Sequence, residues 1–463
     1  MGPNKHPTLE YVKGQRIWRE LCVTNLQGEH KLVGFAFVDD TDLILLDMLD
    51  ASTDFEELAG KMLEAINMWE GELKATRGAL VPHKSWICPI DFKKKEQKLK
   101  YTPATEIEQQ FTVKDQNEEI KPLQKVDLSE GREMLGIFLA SDGNNNKVVE
   151  RLTAKAQEWH DNILLGHISR DLAWQASQTT IMKTLEYPLV ALTLSEEDCN
   201  KIMKPVKTAT LAKTSINRNY PSAILYRPKK EGGLVLNNLY ITQGLIHLQK
   251  LQQHLGSNSI TDKLIKVSLE LAILEVGVGR NLFDLQYNKF SSLVTEGWIK
   301  GIWKFVSEKG IGIIDRTTKY PAPQREGDVF LTEIFVHAGY SRSELAKLNQ
   351  CRMYLKALTL SDIMHATGNS FTTAYNLQRD EFYKTRYNWP NQTRPGTAAK
   401  KLWRSALRKC FGMKKGITSY TLGTGLYQPS NCWIWSYEAE SQLLYQQFRR
   451  VFLLQALINI CSH

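Results

Sequence analysis

The sequence predicts an α+β fold in which small antiparallel hairpins come first and helices dominate afterwards. Two strand-length apolar runs, residues 32–38 and 43–46, flank a polar turn near the N-terminus. Apolar residues at helical spacing follow in residues 55–73 and again in residues 146–191. Apolar runs of strand length predict buried strands, and the 3.6-residue period predicts packed helices. Strands and helices are therefore expected in separate parts of the chain.

The composition fits a protein with several folded domains. The chain has 463 residues, enough for two to four domains at roughly 100–200 residues each, and 42% of the residues are hydrophobic. No apolar run reaches the ~18–20 residues that span a bilayer, and the N-terminus lacks the apolar stretch of a signal peptide. The seven scattered cysteines include no Cys-x-x-Cys pair. We therefore expect an intracellular protein with no membrane partner and no disulfide partner.

The net charge of +9 conceals two acid-free windows. Residues 201–230 contain eight Lys or Arg and residues 384–415 contain ten, while the other 401 residues carry 41 basic and all 50 acidic residues. Lys and Arg can contact phosphates while bases stack on aromatic rings. The second window also contains four aromatic residues: Tyr387, Trp389, Trp403 and Phe411. Solvated surface faces are the alternative, but two such windows in an otherwise acidic chain favour a nucleic-acid partner.

Three aspartates lie between the two predicted strands: Asp39, Asp40 and Asp42. Carboxylates this close repel one another, and a divalent cation that prefers hard oxygen ligands, such as Mg²⁺, would relieve the repulsion. An Asp-rich turn without a metal is the alternative interpretation. A tight hairpin turn usually contains Gly or Asn, and this one has no Gly, so the pattern favours the metal.

The first helix is predicted directly after this turn. Thr53 and Glu56 form a T-x-x-E capping box at its start. Apolar residues at spacings of three and four form one face of the helix: Phe55, Leu58, Met62, Ile66, Trp69 and Leu73.

Two further helices are predicted in residues 146–191. The second of them ends before Tyr187 and Pro188. Apolar stripes mark the two helices, the first with Val149, Leu152, Ala156, Trp159 and Ile163 and the second with Trp174, Ile181 and Leu185. Residues 261–274 and 344–358 also predict helices. The Gly277-Val278-Gly279 triplet is a weak phosphate-binding signal, because the third glycine of such motifs is missing.

The turn between the first two strands resembles a polymerase signature. Phe37, Val38, Asp39 and Asp40 are similar to the aromatic-x-Asp-Asp motif of reverse transcriptases, and residues 34–43, GFAFVDDTDL, resemble its form in non-LTR, LINE-like retroelements. The resemblance implies a polymerase palm in which Asp39 is the main metal ligand and Asp40 its weaker companion. It places Phe37 and Val38 beside the primer terminus. The implied cofactor is Mg²⁺, for which Mn²⁺ can substitute.

Later motifs follow in an order similar to that of the family. Residues 80–85, LVPHKS, resemble the segment whose lysine lies near the incoming triphosphate, which implies a catalytic role for Lys84; a surface lysine is the alternative. Leu135 and Gly136, in LGIFL, look like the primer-grip hairpin. The helices after it occupy the position of the thumb. Residues 220–239 resemble the stretch that leads to a GGLGL-like turn, with Val235 in place of its second glycine.

The resemblance implies four segments and a nucleic-acid interface. We expect a partial palm of antiparallel hairpins with a packed helix in residues 1–143, thumb-like helices in 144–200, a basic post-thumb segment in 201–260 and a mostly helical C-terminal region in 261–463. The implied partner is the duplex of RNA template and DNA primer. The residues expected to bind it are Lys204, Lys207, Arg218, Lys229 and Lys230 in the first window and Lys400, Lys401, Arg404 and Arg408 in the second.

One part of the polymerase site has no counterpart. Two-metal phosphoryl transfer needs carboxylates from more than one strand, and residues 1–33 contain Glu10, Glu20 and Glu29 but no Asp. We expect Met1 to be an internal start or the start of a degenerate copy. The chain is then the C-terminal portion of a reverse transcriptase. It would not extend a primer or use dNTP unless an upstream segment or a second chain supplies the missing carboxylate.

Two other hypotheses stay open. One is a non-catalytic nucleic-acid-binding protein with a vestigial metal site, either a remnant or a domesticated protein. The other is an unrelated structural protein in which the Asp-Asp turn is accidental.

Overall fold

A computed structural model describes most of the chain between residues 55 and 423. Before residue 55 and after residue 423 it describes strands alone, and for those strands it gives backbone pairing but no side chains, Leu43 excepted. The same holds for residues 94, 95, 98 and 99. Between residues 55 and 423, the structure describes residues 55–95, 98–115, 117–315, 317–318, 320–379, 387, 389–390 and 392–423.

The strands are short, and most of them form antiparallel hairpins. They are β1 (Glu10–Val12), β2 (Gln15–Trp18), β3 (Val23–Asn25), β4 (Gly28–His30), β5 (Gly34–Phe37), β6 (Asp40–Leu43), β7 (Trp86–Ile87), β8 (Asp91–Lys95), β9 (Lys98–Thr102), β10 (Thr112–Lys114), β11 (Ile120–Pro122), β12 (Gln124–Lys125), β13 (Arg132–Met134), β14 (Ile137–Leu139), β15 (Ile434–Glu438), β16 (Leu443–Phe448) and β17 (Val451–Ala456).

The helices dominate the chain after residue 145. They are α1 (Phe55–Ala75), α2 (Asn146–Leu165), α3 (Arg170–Ala176), α4 (Met182–Glu186), α5 (Glu196–Lys213), α6 (Ser222–Tyr226), α7 (Leu239–His254), α8 (Ile260–Val276), α9 (Tyr287–Phe290), α10 (Trp298–Lys309), α11 (Leu331–His337), α12 (Arg342–Leu355) and α13 (Thr397–Phe411). Helix and small antiparallel hairpins thus agree with the predicted α+β class.

The chain divides into two compact units. The first comprises residues 1–23 and 29–250, and the second comprises residues 24–28 and 251–463. None of the helices in the described part of the chain combines the length and the apolar character needed to cross a membrane.

The first unit begins with an antiparallel sheet and a helix packed on it. The sheet has the order β1-β2-β5-β6. Trp69 of α1 is buried in a cluster with Leu43, Leu73 and Leu80, so the helix packs against the end of β6. The expected hairpin with a packed helix is therefore present. Thr53, the first residue of the predicted capping box, lies outside the described residues.

The strands around the aspartates begin and end at other residues than predicted. The register pairs Phe37 with Asp40, Phe35 with Asp42 and Gly34 with Leu43. Asp40 and Asp42 are therefore strand residues, because pairing with β5 extends β6 beyond the apolar run that marked it in the sequence. In sequence, only Val38 and Asp39 separate the two strands, and both lie outside the described residues.

The helices predicted in residues 146–191 are present. The apolar stripe of α2 is buried at Val149, Leu152, Ala156 and Ile163, and α2 packs against α5. The second helix comprises α3, a π-helical turn (Ser177–Ile181) and α4, and a 3₁₀ helix (Tyr187–Val190) continues it. Helix α4 ends at Glu186, directly before Tyr187 and Pro188 as predicted, and the proline is tolerated in the first turn of the 3₁₀ segment.

The second unit contains a fully buried arginine. Arg352 of α12 is fully buried, and its guanidinium donates to the carbonyl oxygens of Leu274 at 2.6 Å, Glu275 at 2.7 Å and Ala357 at 3.1 Å. Burial lowers the pKa of Arg352 to about 9, so the side chain is still charged at neutral pH. It also lies over the ring of Trp389, 5.7 Å from the centroid.

The Gly277-Val278-Gly279 triplet belongs to this packing. Gly277 ends α8 with φ +74°, and a Cβ atom there would lie 2.5 Å from Cζ of Arg352. A Cβ atom at Gly279 would lie 2.3 Å from Cζ of Phe330. The two glycines therefore allow a helix end and close packing, a structural role that requires no bound phosphate.

The region from residue 261 onward contains α8–α13, in line with the expected helical character. It also ends in an antiparallel sheet of order β15-β16-β17, which the sequence did not predict. The predicted helix at 261–274 corresponds to α8, and the one at 344–358 corresponds to α12, which ends at Leu355.

Candidate nucleic-acid interface

The hairpin β5–β6 holds the candidate metal ligands. Asp40 begins β6 opposite Phe37, and Asp42 occupies the alternate position of the same strand. Asp39, the main expected ligand, and Val38 lie outside the described residues. The donor chemistry fits Mg²⁺, because carboxylate oxygens are the ligands that this cation prefers. Among the described residues, no group of three or more His, Cys, Asp or Glu side chains is arranged to hold a metal.

Lys84 lies at the end of a short 3₁₀ helix, Pro82–Lys84, and its side chain is exposed. The preceding Leu80 packs in the cluster that contains Leu43 of β6. The segment that carries Lys84 is therefore tied to the end of the candidate metal hairpin. This placement is compatible with both the catalytic and the surface interpretation of Lys84.

Leu135 and Gly136 form the tight turn of hairpin β13–β14. Both residues have positive φ, +50° and +79°, as the favoured two-residue hairpin turn requires. Leu135 is a strained choice for such a position and leaves its side chain 48% exposed. The hydroxyl of Tyr187 donates to the carbonyl oxygen of Leu135 at 2.8 Å. Tyr187, which the sequence marked only as the end of a helix, fastens this hairpin to the 3₁₀ segment that follows α4.

Helix α5 presents the lysines of the first window. It begins with a capping box between Ser195 and Asp198, and its acidic residues are confined to the first turn. The apolar side of α5 packs on α2, and Ile202, Val206 and Ala209 are buried there. The side chains of Lys201 and Lys204 are exposed and that of Lys207 is half-buried. Beyond its first turn, this amphipathic helix thus directs an acid-free polar side to solvent.

The rest of the first window forms a turn beside α5. Lys229 and Lys230 lie in a short 3₁₀ helix, Lys229–Glu231, and both are exposed, as is Arg218. The backbone N–H of Val235 donates to the carbonyl oxygen of Arg227 at 3.1 Å and closes the turn. Val235 has φ +56°, a strained conformation for a β-branched residue, at the position where the resembling motif has glycine.

One apolar cluster holds the helix and this turn together. Leu211 of α5, Leu225 of α6 and Leu236 are buried against one another. The Nζ atom of Lys207 lies 5.9 Å from the centroid of the Tyr226 ring. The first basic surface, as we call it, consists of Lys201, Lys204, Lys207, Arg218, Lys229 and Lys230. Within the described residues, none of these six side chains is paired with a carboxylate.

Helix α13 presents the predicted residues of the second window. Lys401, Arg404 and Arg408 follow at spacings of three and four, so they form one stripe along the helix. Lys401 and Arg408 are exposed, while Lys400 and Arg404 are half-buried. Arg404 donates a hydrogen bond to Oδ1 of Asn376, which fixes its guanidinium. These four side chains constitute the second basic surface.

The aromatic residues of the second window do not accompany this surface. Trp403, Phe411 and Trp389 are buried in the protein core, and Nε1 of Trp403 donates to the carbonyl oxygen of Ala374 at 3.1 Å. Tyr387 packs against a buried cluster. The expectation that Trp389, Trp403 and Phe411 stack on bases was therefore wrong, and for Trp403 and Phe411 the reason is that the helical period places them on the buried side of α13.

A third group of basic residues escaped the sequence analysis. Hairpin β8–β9 contains five lysines, but Asp91 precedes them and Glu96 interrupts their run, so it is not an acid-free window. The register pairs Lys93 with Lys100, and both of these side chains are exposed. The run KKKEQKLK between two short β-prone segments was the signal that could have revealed it.

The comparisons with known proteins identify no relative. No protein-family model matches this sequence, and comparisons with curated proteins and with solved structures gave no significant match. Function is therefore inferred from the residues and from their arrangement.

Proposed function

We propose that this chain is the C-terminal portion of an RNA-directed DNA polymerase of a non-LTR retrotransposon. It holds the duplex of RNA template and DNA primer on the first basic surface and Mg²⁺ at Asp39 and Asp40. The observation that carries the proposal is that hairpin β5–β6, whose strands flank Asp39 in sequence, belongs to the same compact unit as the first basic surface. A polymerase needs its metal site and its duplex-binding surface in the same compact unit.

The order of elements in the first unit supports the same proposal. The sheet with α1 resembles a palm, the hairpin at Leu135 and Gly136 resembles a primer grip, and the helices that follow resemble a thumb. Tyr187 ties the second of these elements to the third. Bound Mg²⁺ would stabilise the charge that develops on phosphate oxygens. In this proposal the basic side chains of the chain bind the duplex, and Lys84 acts on the incoming triphosphate.

Duplex affinity and its salt dependence test the proposal. A labelled RNA–DNA duplex is titrated with the full chain while its fluorescence anisotropy is followed at several salt concentrations. We expect binding that weakens steeply with salt, because every phosphate contact releases counterions, at about 0.9 in log–log slope per contact. Absence of binding at low salt would contradict the proposal.

A non-catalytic nucleic-acid-binding protein is the second candidate. It is favoured because residues 1–33 contain glutamates but no Asp, whereas the resemblance to reverse transcriptases implies an Asp on an earlier strand. Both candidates bind the duplex, so duplex affinity does not separate them. Binding of Mn²⁺ that depends on Asp39 separates them, because a vestigial hairpin would not retain the metal.

A further inference from the structure

Hairpin β8–β9 has a charge register that opposes its own folding. Lys93 lies opposite Lys100, and Lys95 lies opposite Lys98. Like charges directly opposite one another destabilise an antiparallel pair. A two-stranded hairpin is only marginally stable in the best case, so this register is costly to maintain. A polyanion bound to the hairpin would offset that cost.

The hairpin is fastened to the first unit at one end. The hydroxyl of Tyr101 donates to Oδ1 of Asp127 at 3.0 Å, and the same carboxylate oxygen accepts the backbone N–H of Ala104 at 2.9 Å. Thr102 is buried, and the ring of Phe92 meets that of Tyr101 edge-on at 6.0 Å. The end of the hairpin that carries the aromatic pair is thus anchored.

The lysines lie beyond this anchor. The side chains of Lys93 and Lys100 are exposed, and neither pairs with a carboxylate in the part of the chain that the structure describes. Positions 93 and 95 are about 6.7 Å apart along the strand, and their partners lie about 5 Å away across the pair. Four basic positions are therefore concentrated in one small area of the hairpin.

This arrangement fits the phosphate backbone of a duplex. A nucleic-acid duplex carries closely spaced negative charges on both strands. A two-stranded β-ribbon is also one of the two protein elements that a major groove admits. We propose that hairpin β8–β9 is a second duplex-binding element of the first unit, which contacts phosphates through Lys93 and Lys100. The proposal rests on the duplex binding proposed above and adds a site to it.

Protection of an exposed strand edge is the competing explanation. Charged residues on edge strands hinder pairing with other chains, and either sign of charge serves that purpose. Contact with phosphates requires positive charge. The sign of the charge at position 93 therefore distinguishes the two explanations.

The test uses the full chain and a labelled RNA–DNA duplex. We expect Lys93→Gln with Lys100→Gln to reduce the magnitude of the salt slope by about 1.8, because two phosphate contacts are lost. The matched control is Lys147→Gln with Lys155→Gln, which removes two exposed lysines from α2 that already pair with Glu150 and Glu158. The control should retain the wild-type slope. Equal slopes for the hairpin variant and the wild type would overturn the proposal.

A single charge reversal keeps the test independent of folding. Lys93→Glu places opposite charges across the pair with Lys100, so thermal unfolding should occur at the wild-type temperature or above it. Duplex affinity should nevertheless fall, and by more than in Lys93→Gln. Wild-type affinity of Lys93→Glu would overturn the proposal and favour edge protection.

The failure of this proposal differs from the failure of the proposed function. If variants of the first basic surface weaken duplex binding while the hairpin variants do not, the hairpin proposal alone is wrong. If the wild-type chain binds no duplex at low salt, both proposals are wrong.

Discussion

Neutralising Lys204 and Lys229 should weaken duplex binding without unfolding the protein. Lys204 lies on α5 and Lys229 lies in the adjacent turn, and both side chains are exposed. Neither forms an ion pair within the described residues. The double variant Lys204→Gln with Lys229→Gln therefore removes two charges and no internal contact. Glutamine also has nearly the helix propensity of lysine, so α5 should be unaffected.

The size of the loss follows from counterion release. Each phosphate contact contributes about 0.9 to the slope of the logarithm of the binding constant against the logarithm of salt concentration. Two contacts contribute about 1.8 to this slope, and their contribution to the logarithm of the binding constant vanishes at 1 M salt. One decade lower, at ~0.1 M salt, the variant should therefore bind about 60-fold more weakly than the wild type. This factor corresponds to about 2.4 kcal/mol of binding free energy.

Anisotropy titrations of a labelled RNA–DNA duplex at several salt concentrations measure both the affinity and the slope. Lys147→Gln with Lys155→Gln again serves as the control of equal charge change, and circular dichroism shows whether the variants are folded. A slope for Lys204→Gln with Lys229→Gln equal to that of the wild type would refute the placement of the duplex on the first basic surface.

Three further predictions concern stability. Arg352→Met should lower the free energy of unfolding by about 3–5 kcal/mol, because buried carbonyl oxygens lose their charged donor. Urea titrations measure this change, and a loss below about 1 kcal/mol would contradict the prediction. Tyr187→Phe should speed hydrogen exchange in hairpin β13–β14, because the bond to Leu135 is lost, and unchanged exchange would argue against that tether. Burial lowers the pKa of His247, whose ring bonds to the carbonyl oxygen of Leu189 at 2.8 Å. The unfolded chain therefore binds the proton first, and the urea midpoint should fall as pH drops below about 6.5, less so in His247→Gln.

Most of the correct sequence predictions came from the helical spacing of apolar residues. The stripes at Val149, Leu152, Ala156 and Ile163 and at Ile181 and Leu185 are buried as predicted, because an amphipathic helix must place its apolar side against the core. The Leu135–Gly136 pair lies in a two-residue hairpin turn, which both positive φ values support.

The residue content of a segment was a less reliable guide than the positions of its residues on a helix or a strand pair. The basic window at 384–415 suggested that its aromatic rings accompany the charges, but α13 separates them onto opposite sides. The lysines of β8–β9 were overlooked for the converse reason. Their significance depends on the register that pairs Lys93 with Lys100, and pairing between strands cannot be read from a charge count.

Where the strands near the aspartates begin and end also depends on the pairing between strands. The apolar runs predicted where strands would be, but the pairing of β6 with β5 includes Asp40 and Asp42. Residues with polar side chains can belong to a strand when a neighbouring strand forms hydrogen bonds with their backbone N–H and C=O groups. Val38 and Asp39 lie outside the described residues, so their predicted roles stay predictions.

Binding of Mn²⁺ to the full chain tests the polymerase assignment most directly. Electron paramagnetic resonance of free Mn²⁺, titrated with wild-type protein, Asp39→Asn and the exposed-site control Asp171→Asn, measures how many ions the hairpin retains. The polymerase assignment predicts that the wild type and Asp171→Asn bind the ion and that Asp39→Asn loses it. Equal binding by wild type and Asp39→Asn, or no binding by either, would contradict a live metal site at this hairpin.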